Sequence, residues 1–164
     1  MKRLALAALT GTLLLSAAAG NASAANIGVS MALFDDNFLT VLRNGIQKYA
    51  DDNSHKVQIE DAKNDVSKQL DQINNFIASG VDAIIVNPVD TSTTQAMTDA
   101  AAKANIPLVY VNRQPINLDT LLANQSFVGS NETDSGTVET KQLCANWKAE
   151  GKAESPLAQR GFVH

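Results

Sequence analysis

A doubly wound α/β fold, a parallel sheet covered by helices in a three-layer αβα arrangement, is what this sequence predicts, and three observations predict it. First, the stretch IGVSMALFDDNF at residues 27–38 joins a short apolar run to the polar side chains of Asp35, Asp36 and Asn37. A strand buried on both faces reads as such a run, and short polar side chains favour turns and helix N-caps. Second, a helical pattern follows at once, with Phe38, Val41, Leu42, Gly45, Ile46 and Tyr49 at three- and four-residue spacing. Third, the unit repeats: strands begin near residues 27, 56, 81, 106 and 126, with helices between them. That alternation implies right-handed crossovers and a parallel sheet.

Taken in order, residues 1–24 read as a secretory signal rather than as structure. Lys2 and Arg3 precede an apolar core at residues 4–15, and Ala22-Ser23-Ala24 forms a small-residue cleavage site. Cleavage is therefore expected near Ala24, and the apolar core is shorter than a bilayer-spanning helix requires. Residues 27–33 are the first strand. The alternating KVQIE at residues 56–60 is the second, and the chain turns through residues 61–65. Val66, Leu70, Ile73 and Ile77 mark one face of a helix that Gly80 stops. Residues 81–86 form the third strand, ending at Asn87-Pro88, where proline prevents further pairing. An alanine-rich helix at residues 91–104 leads to the fourth strand at 106–111 and its polar exit, Asn112-Arg113-Gln114-Pro115. A short fifth strand at 126–129 precedes a cap at Ser130-Asn131 and a helix to about Lys148. The segment at 150–164, EGKAESPLAQRGFVH, holds no strand-like run although the pattern asks for a sixth strand there.

Composition narrows the function. Without the 24-residue signal, 140 of the 164 residues remain, about one ordinary domain, and formal charge moves from −4 to −6 because Lys2 and Arg3 leave. An acidic chain with no basic run offers no footprint for nucleic acid or an anionic membrane. The single cysteine, Cys144, has no internal disulfide partner and is expected as a small apolar side chain in a helix.

In a parallel sheet the carboxyl ends of the strands share one edge, where ligands of doubly wound folds bind. Asp35, Asp36, Asn37 and Phe38 follow the first strand, Asn87 the third, Asn112 and Arg113 the fourth, Ser130 and Asn131 the fifth. Carboxylate and amide acceptors, amide and guanidinium donors and one aromatic face suit a neutral polyhydroxylated ligand, whose hydroxyls both donate and accept while an apolar ring face lies on Phe38. Each residue alone also fits a cap, a turn or a core position. An arginine and an aromatic beside the capping residues favour the joint reading.

Five of these segments, in order, carry a resemblance: IGVSMALFDDNF, DAKNDVSKQLDQI, GVDAIIVNPVD, ANIPLVYVNRQP and FVGSNETDSG. Together they resemble the amino-terminal half of the periplasmic sugar-binding proteins of ABC transporters, type I, of the galactose/glucose-, ribose- and inositol- or rhizopine-binding kind, over residues 26–148. The resemblance implies that Asp36 and Phe38 are hydrogen-bonding and ring-stacking positions, that Asn87 is the amide after the third strand, and that Asn112-Arg113 is the polar pair after the fourth. In ribose-type members that pair is an acid followed by arginine, and Asn112 replaces the acid. Asp35 and Asn37 are expected to shape the turn and cap the helix, Ser130 and Asn131 to form the hinge exit. The resemblance also implies a second lobe, a membrane permease as partner, a periplasmic location, and a monosaccharide or polyol bound without chemistry. No cofactor or metal is implied, and no Asp-rich calcium loop follows the last helix. It divides the chain into a signal peptide at 1–24, a sugar-binding lobe at 25–130, and a hinge exit, first second-lobe helix and non-family tail at 131–164. An incomplete lobe and a truncated or frameshifted product are the corresponding expectation.

Two other classes fit less well. A receiver-like switch domain with an acidic pocket would need a carboxylate after the third strand and a lysine after the fifth, where Asn87 and Ser130-Asn131 stand. A hydrolase or dehydrogenase would need G-x-G-x-x-G, G-x-S-x-G or H-E-x-x-H, all absent. His55 and His164 suggest no nucleophile and base pair, and the adjacent Asp35 and Asp36 do not flank a glycosidic bond as acid and nucleophile.

Overall fold

The computed structural model describes residues 24–151, so the expected signal peptide, apart from Ala24, and the segment from residue 152 onward lie outside the described residues. Five strands, β1 Asn26–Met31, β2 Lys56–Asp61, β3 Ala83–Val86, β4 Leu108–Val111 and β5 Gln125–Val128, form one sheet in the order β2-β1-β3-β4-β5. Every pairing is parallel, with Val29 beside Ile59 on one side and Ile85 on the other. Four helices connect or follow them: α1 Asn37–Asp52, α2 Val66–Ser79, α3 Thr94–Lys103 and α4 Glu132–Ala149.

The two-residue alternation of side chains along a strand divides the core in two. Val29, Met31 and Ala32 pack with Leu39 of α1, joined by half-buried Ile27, Ile59 and Ile85. Ile84, Val86, Leu108 and Tyr110 pack on the other face with Ile73 and Phe76 of α2 and Met97 and Ala101 of α3. The fold is therefore the three-layer α/β sheet expected. Cover is uneven, however, and Val128 at the end of β5 is 62% exposed.

The helix faces differ from the apolar pattern. On α1 the buried stripe is Leu39 and Ala50 with half-buried Leu42, Arg43 and Ile46, while Phe38, Val41 and Tyr49 stand exposed. On α2 two glutamines, Gln69 and Gln72, are buried beside Ile73 and Phe76, and Val66, Leu70 and Ile77 are only half-buried. On α4 every side chain described is exposed except half-buried Cys144 and Trp147. Among the described residues no helix is long and apolar enough to cross a membrane.

Two histidine and aspartate contacts secure the start of β1: the Ala25 N–H donates to His55 Nδ1 at 3.1 Å and the Asn26 N–H to Asp82 Oδ2 at 2.7 Å. Beneath α3 a buried polar cluster centres on Tyr110, whose hydroxyl donates to the Thr94 carbonyl at 2.8 Å and lies 2.9 Å from Thr98 Oγ1. Asn117 Nδ2 donates to the same Thr98 oxygen at 2.9 Å. Burial pushes the Tyr110 phenol up to about 12. An unfolded tyrosine ionises near pH 10, so this contribution to stability is full below pH 10 and is lost as pH rises through 12. The urea midpoint is expected to fall across that window by an amount equivalent to ~1–2 kcal/mol. Tyr110→Phe should flatten the fall, and an equally steep profile in that variant would refute the assignment.

Candidate functional site

The exits of β1, β3, β4 and β5 lie along one edge of the sheet, as parallel strands require. At the β1 exit Asp36 itself caps α1: its Oδ1 accepts the Leu39 N–H at 2.8 Å, and Asn37 is the first helical residue. This corrects the expectation that Asp35 and Asn37 do the capping. The cap occupies one carboxylate oxygen of an exposed residue, with exposed Asp35 beside it and Phe38, 59% exposed, two residues on. The loop is braced from behind. Thr40 Oγ1 donates to the Phe34 carbonyl at 3.0 Å, and the Arg43 guanidinium lies 4.1 Å from the centre of the Phe34 ring, a cation–π distance.

At the β3 exit Asn87 is fully buried. Its Oδ1 accepts the Ala32 N–H and its Nδ2 donates to the Val111 carbonyl, both at 3.3 Å. The Ala32 N–H is thereby taken from the sheet ladder, which explains why β1 stops at Met31 although apolar sequence runs on to Leu33. Its amide already serves the exits of β1 and β4, so a ligand would meet it only by displacing those bonds.

At the β4 exit Asn112 takes a left-handed conformation, φ 67°, one that asparagine tolerates better than most residues. It sits at the centre of a tight three-residue turn closed by the Arg113 N–H to the Val111 carbonyl at 2.8 Å. The Asn112 N–H continues the pairing to Val128 at 2.9 Å. This turn throws Arg113 back across the sheet edge, where its Nη1 donates to the carbonyls of Pro88 at 2.9 Å and Val89 at 2.8 Å. The guanidinium has five N–H groups, so the remaining donors stay available to a ligand. Asp90, beyond that turn, accepts the Ser92 N–H, which holds its carboxyl below the usual range.

At the β5 exit Gly129 is crowded, since an added Cβ would lie 3.1 Å from the Asn112 carbonyl and closer still to the Phe127 ring. Asn131 caps α4, its Oδ1 accepting the N–H groups of Thr133 at 3.1 Å and Asp134 at 3.3 Å. Asp36, Phe38, Asn112 and Arg113 thus share the accessible edge, and Asn87 lies beneath it. The residues sequence reasoning missed are Ser30, Gln69 and Gln72, which bond one another and the strand exits from inside the lobe. Their signal was the 69, 72, 73, 76 spacing, which continues a helix face through two glutamines.

A five-stranded parallel sheet of this order with a polar edge at the strand ends defines a ligand-binding α/β lobe. Residues 27–155 match the periplasmic binding protein domain, and the chain belongs to that family. Among curated relatives it is 59% identical over 133 residues to a Rhizobium meliloti protein named "Putative rhizopine-binding protein", covering 80% of this chain and 43% of that one. It is 34% identical over 112 residues to the ribose import binding protein of Bacillus subtilis, covering 67% of this chain and 37% of that one. Among solved structures it resembles an ABC transporter solute binding protein from Bacillus halodurans with bound myo-inositol. That match has 32% identity and a TM-score of 0.70, over 79% of this chain and 44% of the other. The chain spans less than half the length of each of these relatives.

Proposed function

We propose that this chain supplies one wall of the ligand site of a solute-binding component of an ABC importer, taking a monosaccharide or polyol of the inositol, ribose or galactose class without chemical change. The observation that carries the reading is the convergence of Asp36, Phe38, Asn112 and Arg113 on one sheet edge in a member of the periplasmic binding protein family. A carboxylate oxygen outside the N-cap bond and guanidinium N–H groups outside the carbonyl seat offer an acceptor and donors to vicinal hydroxyls, and Phe38 offers a surface to an apolar ring face. In this reading residues 1–24 direct export to the periplasm, residues 25–130 are the binding lobe, and residues 131–164 open with the hinge exit and the first helix of a second lobe. A second lobe supplies the opposite wall, and its closure on ligand signals to the permease.

The test is calorimetric titration of a full-length counterpart with myo-inositol, ribose and galactose. Asp36→Asn keeps a good N-cap while removing the charge, and Phe38→Ala removes the ring. Each is expected to weaken binding by about tenfold or more, the scale of a buried polar contact or an aromatic anchor. Wild-type affinity in both variants would remove these two residues from the site.

A further inference from the structure

Resting on the reading of Arg113 as a ligand contact, we propose that Gln69, buried on α2, is the positioning residue for Arg113, because the two side chains grip opposite sides of one short turn. That turn is Asn87-Pro88-Val89, at the exit of β3. Behind it, Gln69 Nε2 donates to the Asn87 carbonyl at 3.0 Å and to Ser30 Oγ at 3.1 Å, while its Oε1 accepts the Val89 N–H at 2.8 Å. In front, Arg113 Nη1 donates to the Pro88 and Val89 carbonyls. Pro88 has no N–H, and the Asn87 N–H is spent on the Ser30 carbonyl at 2.9 Å. The turn therefore makes its remaining backbone bonds to these two side chains.

An amide placed in an apolar core is unfavourable unless its bonds are made, and Gln69, with no exposed surface, makes all three within 3.1 Å. Their common effect is to fix the two peptide planes that flank Pro88, the second of which carries the Pro88 carbonyl, and so to set where the adjoining Val89 carbonyl starts from. A guanidinium is a rigid planar fork, so those carbonyls decide where its remaining N–H groups point. Gln72 provides an internal control. It is equally embedded on the same helix, but accepts from Ser30 Oγ at 2.8 Å and donates to the Asp61 carbonyl at 3.0 Å, reaching β1 and β2 and not the turn.

The experiment reads the Arg113 guanidinium directly, by proton–nitrogen NMR of the arginine side chains, with the signal assigned from its disappearance in Arg113→Lys. In the wild-type chain the signal should be shifted and slow to exchange with solvent. Gln69→Leu should move it to the position and exchange rate of a free arginine, Gln69→Glu, which keeps the acceptor and loses both donors, should move it part of the way, and Gln72→Leu should leave it in place. Should Gln69→Leu fail to fold, Gln69→Glu against Gln72→Leu decides. An unmoved signal in the Gln69 variants, or an equal displacement in Gln72→Leu, would overturn the proposal. In a full-length counterpart Gln69→Glu is expected to weaken sugar or inositol binding about tenfold, one hydrogen bond's worth of affinity. If the wild-type counterpart binds no such ligand, the reading of the site fails, while the Arg113 signal still decides whether Gln69 positions it.

Discussion

Gly28→Ala is expected to destabilise the chain by about 3 kcal/mol, the upper part of the range for overpacking a core, although it adds a single methyl group. A Cβ at residue 28 would lie 2.5 to 2.8 Å from three atoms of the Phe76 ring. Real carbon contacts do not approach so closely, so either strand or ring has to move. Neither can move freely. β1 is the central strand of its half of the sheet, paired to β2 and β3, with Gly28 beside Gln58 and Ile84. Phe76 is buried among Ile73, Val81, Ile84 and Met97, on a helix whose polar side chains are bonded to three strand exits. Urea denaturation provides the measurement, and Phe76→Leu is its partner in a double-mutant cycle. In that smaller background the cost of Gly28→Ala should fall to less than half. An unchanged cost would mean that the loss comes from β1 itself and not from the ring.

Phe76 also marks where sequence reasoning stopped short. Most strands were legible because parallel strands buried on both faces leave continuous apolar runs, β2 at the sheet edge through its alternation, and the interleaved helices implied parallel pairing. Helix faces were less legible. On α2 the periodicity of Val66, Leu70, Ile73 and Ile77 is real, yet the buried line is Gln69, Gln72, Ile73 and Phe76, rotated by about one residue. Hydropathy counts glutamine as polar, and nothing local reveals that its partners are Ser30, 39 residues away, and Asn87, 18 residues away. The reverse holds on α1, where apolar Phe38, Val41 and Tyr49 face out and Arg43 is half-buried against Phe34. At the site, the residue types at the strand exits were legible as a set, while their division of labour was not. Whether Asp36 or Asn37 caps α1 depends on one residue of helix register. Whether Asn87 looks up to the edge or down into the lobe depends on a long-range bond to Val111.

Asn87→Ala is expected to lower stability by about 2 kcal/mol, because it orphans the Ala32 N–H in the interior, where an unsatisfied buried group costs about 1–3 kcal/mol, and removes one of the two bonds to the Val111 carbonyl, which keeps the Arg113 N–H. The two bonds removed are long, 3.3 Å each, which places the expectation at the middle of that range and not at its top. Asn87→Asp separates the two halves of the amide. The carboxylate still accepts from Ala32 but has no proton for the Val111 carbonyl, and burial disfavours its charge. Its folded pKa is thus raised above the unfolded value near 3.9. Stability of this variant should be greatest below that value and fall as pH rises through the folded pKa, the opposite of an exposed, paired aspartate. Urea midpoints at several pH values check both variants. A side chain whose task is only to meet a ligand behaves differently: removing it leaves the unliganded chain as stable as before and weakens binding alone. If Asn87→Ala unfolds at the wild-type urea concentration, the amide is not what holds the exits of β1 and β4 together, and the termination of β1 at Met31 needs another cause.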